Sequence, residues 1–68
     1  MKLSARNKIS AQVTAVTHGE AIANVDLDAG GTRLVASITV EAAREVGLEP
    51  GSQVTAIVKA SDVMLAVD

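Results

Sequence analysis

The sequence predicts a small all-β domain with one short helix: five short strands, with the helix between the third and the fourth. Three observations predict it. Apolar and polar residues alternate in short runs, the pattern of strands with one buried face. Gly and Pro gather between those runs, where turns need them. Only one stretch carries the start and stop signals of a helix.

Residues 8–17 read as the first strand, with Ile9, Ala11, Val13 and Ala15 on one face and Lys8, Ser10, Gln12 and Thr14 on the other. His18-Gly19-Glu20 breaks the alternation as a turn. Residues 21–27 form the second strand, its inner face Ala21, Ala23, Val25 and Leu27. Asp28-Ala29-Gly30-Gly31 is the strongest turn signal, because tandem glycines accept the positive φ of a tight hairpin. The third strand runs from Thr32 to Ile38, with Leu34, Ala36 and Ile38 inward. Val40 to Val46 is the helix. Thr39 is suited to cap its first turn, Glu41 suits the positive end of its dipole, and Gly47 suits its stop. Pro50-Gly51 turns the chain into a fourth strand, Gln53 to Lys59, and Ala60-Ser61-Asp62 links it to a fifth, Val63 to Val67. Three strands, a helix and two strands, in that order, is the arrangement of a five-stranded OB-fold barrel, here as a single domain over residues 1–68.

A chain of 68 residues buries a modest share of its surface and needs reinforcement. With no Cys and only His18, disulfides and a thiolate or multi-histidine metal site within one chain are excluded. The chain is 49% hydrophobic yet has no Phe, Tyr or Trp, so its core is thin and part of its apolar surface is expected to face another copy. A net charge of −2 and the missing aromatics argue against nucleic acid, which needs a basic footprint and stacking platforms. No run approaches the roughly 18 apolar residues of a membrane helix, and Met1-Lys2-Leu3-Ser4 lacks a signal peptide's apolar region, so a cytoplasmic protein is expected.

Three polar clusters are candidates for chemistry. Ser4-Ala5-Arg6-Asn7 sets a hydroxyl, a guanidinium and an amide together, and the guanidinium fork matches an oxyanion. Ser37-Ile38-Thr39 leads into the helix, where free backbone N–H groups favour anions. Lys59-Ala60-Ser61-Asp62 places a cation beside small residues that allow close approach. Taken singly, each has a plainer reading: a solvated lead-in, an ordinary cap, a polar turn. No nucleophile stands beside His18, the carboxylates show no paired-acid spacing, and Gly30-Gly31 opens no helix, so neither catalysis nor a phosphate loop is indicated.

Together, and in this order, the clusters resemble the molbindin family, the small molybdenum-pterin-binding or Mop proteins. Ser4-Ala5-Arg6-Asn7 before a strand is similar to the family's opening motif, Ser37-Ile38-Thr39-Val40 to its middle motif, and Lys59-Ala60-Ser61-Asp62-Val63-Met64 to its closing motif. The resemblance spans essentially the whole chain. It implies OB-fold subunits that exchange strands in a hexamer, a trimer of dimers, and that bind molybdate or tungstate between subunits, for intracellular molybdenum storage and homeostasis. It implies oxyanion contacts from Ser4, Arg6, Thr39, Ala42, Lys59, Ala60 and Ser61, with no direct cation ligand. Several relatives have a Ser where this chain has Ala42, so a hydroxyl is lost there and only the backbone N–H is retained. A second oxyanion site at the first hairpin turn would involve His18, Gly19 and Glu20. The family's name also raises a carrier of a molybdenum-pterin cofactor, which wants a stacking surface that this chain lacks. A nucleic-acid-binding OB module is the other alternative.

Overall fold

The computed structural model describes residues 6–67. Its elements are β1 (Asn7–His18), β2 (Ile22–Ala29), β3 (Thr32–Thr39), α1 (Val40–Val46), β4 (Gln53–Val58) and a 3₁₀ turn (Ala60–Asp62). The strands form one antiparallel sheet in the order β3-β2-β1-β4.

The β2–β3 hairpin closes on Gly30 and Gly31, with φ of 60° and 94°. A two-residue loop with positive φ at both positions suits the twist of its flanking strands. Asp28 Oδ1 accepts from the Gly31 N–H at 2.8 Å and fixes the turn. α1 starts where Thr39 Oγ1 accepts from the Ala42 N–H at 3.1 Å. It stops at Gly47, whose φ of 71° lets the Leu48 N–H return to the Ala43 carbonyl at 3.1 Å, as in a Schellman closure. These local signals were legible, and α1 keeps its expected bounds.

The inner faces of β1 and β2 supply most of the core: Ala11, Val13, Val25 and Leu27 are buried together. Val40 and Ala43 of α1 pack on Ala23, so the helix covers one end of the sheet. The core is made of small aliphatic residues, as composition requires.

Two expectations are corrected. First, Ala15 does not continue the inner face of Ala11 and Val13. The register steps from Val13↔Leu27 to Ala15↔Asp26, a bulge at Thr14, and the next inward residue is Val16, opposite Val25. Second, among the described residues Val63 to Val67 forms no strand within its own chain, and the four-stranded sheet of the single chain does not close into a five-stranded barrel. β3 and β4 are its edges, and among the described residues each pairs on one side only. Residues 63–67 lie along neither edge and are exposed, Met64 and Leu65 at 92% and Val67 at 96%. A short apolar run is fit to be a strand, but a ladder needs a partner. Between the two edges runs an apolar groove lined by Leu27, Ala36, Ile38, Leu48 and Val54. None of the helices in the described residues is long and apolar enough to cross a membrane.

Candidate functional site

Six of the expected contact residues fall into two groups at opposite ends of the sheet. The seventh, Ser4, lies outside the described residues.

Arg6 and Lys59 make the first group. The β1–β4 ladder runs antiparallel from Gln12↔Gln53 to Asn7↔Val58. One step beyond the last rung the same register sets Arg6 beside Lys59, and both are exposed. Two residues distant in sequence thus become neighbouring cations. Lys59 is followed by the 3₁₀ turn of Ala60, Ser61 and Asp62, in which the Asp62 N–H donates to the Lys59 carbonyl at 2.9 Å. The first N–H groups of such a turn, those of Ala60 and Ser61, have no partner inside it. Cationic side chains, a hydroxyl and N–H groups that have no partner within the turn form a donor set suited to a multivalent oxyanion.

Thr39 and Ala42 are in the second group. The Ala42 N–H is engaged by the cap, so it is not a free donor. The Thr39 hydroxyl accepts that bond through an oxygen lone pair, which leaves its own proton available to donate. The β1–β2 turn lies alongside: Ile22 pairs with Thr39, and the Val40 N–H donates to the Ala21 carbonyl at 2.9 Å. His18, Gly19 and Glu20 are therefore close to the helix start, all three exposed. The Gly19 N–H donates to the Ile22 carbonyl at 2.8 Å, and a Cβ on Gly19 would lie 2.9 Å from that oxygen. Gly19 is thus explained by close backbone approach within the turn.

Most of the length of β1 separates the two groups, more than ~30 Å of strand contour at about 3.3 Å per residue. Within one chain, Arg6, Lys59, Ala60 and Ser61 come together, and Thr39, Ala42 and the first turn come together, but the two groups do not meet. Of the other cations, Arg33 is taken up by Asp26, with Nε donating to Oδ1 at 2.9 Å. Sequence reasoning missed the partner of Asn7. Its side-chain Nδ2 donates to the Val58 carbonyl at 3.1 Å, across 51 residues of sequence, and no local pattern signals a bond over that separation.

The TOBE domain family model matches residues 3–65. The chain is 38% identical over 69 residues to a probable molybdenum-pterin-binding protein of Haemophilus influenzae, covering the whole of both. It is similar to the solved molybdate-binding protein of Sporomusa ovata, with a TM-score of 0.94 and 40% identity over 98% of this chain and 100% of that one. It is also similar to the cytoplasmic molybdate-binding protein ModG, solved with molybdate bound, with a TM-score of 0.94 and 40% identity over all of this chain and 49% of that one.

Proposed function

Since the chain belongs to the molbindin family, TOBE-domain relatives of the molybdenum-pterin-binding (Mop) proteins, we propose that it binds molybdate or tungstate between subunits of a homo-oligomer and serves as a cytoplasmic molybdenum store. Residues 1–68 make one molbindin domain of OB type. The observation that carries the reading is the register of the β1–β4 ladder, which ends at Asn7↔Val58 and, carried one step further, brings Arg6 across from Lys59. A tetrahedral dianion there gains charge-assisted bonds from both cations, and Ser61 with the N–H groups of Ala60 and Ser61 fills further acceptor positions. Ser4, in the same cluster of sequence as Arg6, adds a hydroxyl.

The second donor group comes from another chain. Thr39, with Ala42 behind it in the cap, completes the pocket across an interface, because its own chain holds it too far from Arg6. Strand exchange supplies the interface. The exposed segment Val63–Val67 of one subunit adds as fifth strand to the apolar groove of another, which covers both. Repeated in a trimer of dimers, this makes a hexamer. The first hairpin turn, with His18, Gly19 and Glu20, is a weaker oxyanion site, because the Glu20 carboxylate opposes a dianion unless it turns away.

The names of the relatives favour a second reading, a molybdenum-pterin carrier. A pterin ring stacks on aromatic faces, and this chain of 68 residues has none. The bare oxyanion fits the donor set better. Isothermal titration with molybdate, tungstate and sulfate, with the mass in solution determined alongside, tests the proposal. It expects tight binding of a metal oxyanion by an oligomer that ignores sulfate. An assembled protein that gives no heat with molybdate or tungstate would overturn it and reopen the pterin reading.

A further inference from the structure

We propose that Asn7 is a positioning residue for this oxyanion site: its amide holds the two cationic chain ends side by side before the anion arrives. The inference rests on the oxyanion reading above. Arg6 and Lys59 follow the last rung of the ladder, and like charges facing each other across a strand pair push it open. Among the described residues β1 is the only strand of its own chain that β4 pairs with, so within the subunit the β1–β4 ladder alone resists that splaying. At this rung the half-buried Asn7 donates from Nδ2 to the Val58 carbonyl, the group immediately before Lys59. The acceptor is a carbonyl, so its partner must be the amide nitrogen. Among the described residues this is the one side-chain hydrogen bond joining β1 to β4. Without it, binding would also have to close the frayed ends, and affinity falls by the cost of that ordering.

Molybdate titration of the whole protein and of its Asn7→Ala and Asn7→Leu variants tests this, with melting temperature and solution mass measured on each. Leu keeps the bulk of Asn and suits a half-buried strand position, but it donates no hydrogen bond. The expected result is affinity about three- to tenfold weaker in the variants, the worth of one such bond. For Asn7→Leu the mass is unchanged and the melting temperature stays within about 3 °C. Unchanged affinity in both variants, with wild type binding, overturns the role. So does a loss of affinity that appears only with a lost oligomer or a lost fold, because Asn7 would then be structural alone. Absence of binding by wild type is a different result: it removes the oxyanion reading and this inference with it.

Discussion

At the scale of single residues, the proposed chemistry rests on cations that fold geometry, rather than local sequence, makes into neighbours. Arg6 is exposed and stands one register step beyond the Asn7↔Val58 rung, across from Lys59, so removing its side chain leaves the core untouched and, in the proposed site, takes away up to two charge-assisted bonds. Each such bond is worth about 1.5–3 kcal/mol. Arg6→Ala is therefore expected to weaken molybdate binding at least tenfold while the melting temperature stays near that of the parent, both read by titration and thermal denaturation. Unaltered affinity would remove Arg6 from the site. Residue types and their order were legible in the sequence, where the three clusters together resemble the family's motifs although each alone reads as a lead-in, a cap or a turn. Their grouping was not. That Arg6 meets Lys59 depends on a register set by dozens of intervening residues, and that the Ala42 N–H is spent on Thr39 depends on the cap forming at all.

At the scale of elements, strands and helix were legible where the signal is local and lost where a partner decides. The β2–β3 turn and α1 were visible because tandem glycines, a capping Thr and a closing Gly each have a backbone requirement of their own. Gly31 makes this testable. Its φ of 94° is unfavourable for any residue with a Cβ, yet no atom lies within 4 Å of where that Cβ would sit. Gly31→Ala is expected to cost about 1–2 kcal/mol of stability, entirely as backbone strain. Thermal or urea unfolding measures it, and a variant as stable as the parent would show that the hairpin relaxes into another turn. The bulge at Thr14 stayed hidden because Ala15 and Val16 are both apolar: the alternation reads equally well through either, and only the pairing of Val16 with Val25 decides. Val63 to Val67 misled in the opposite direction: a short apolar run after a polar turn reads as a strand, while its own sheet offers it no place.

At the scale of the molecule, the chain carries two features that complement each other and do not meet: an open sheet with an apolar groove, and an exposed apolar segment. Isolated apolar side chains on a surface are ordinary, but a run with Met64 and Leu65 at 92% and Val67 at 96% exposure leaves a continuous apolar strip in water. Burying one Leu side chain is worth about 1.5–3 kcal/mol, and each exchanged segment also pairs two strand edges that otherwise stay open. An oligomer made this way is sensitive to one charge in the strip. Leu65→Asp substitutes a carboxylate for a buried aliphatic group at every exchanged interface, while in the isolated subunit position 65 is already in solvent. The variant is therefore expected to fold but to run at a smaller mass in light scattering or native mass spectrometry. It should also lose molybdate affinity, because in the proposed assembly Arg6 and Lys59 of one chain face Thr39 of another, and dissociation separates them. The two readouts must move together. A Leu65→Asp protein that keeps its mass would show that the segment is not the exchanged strand. One that dissociates yet binds molybdate as tightly as before would place the whole site within a single chain, at the Arg6–Lys59 end alone.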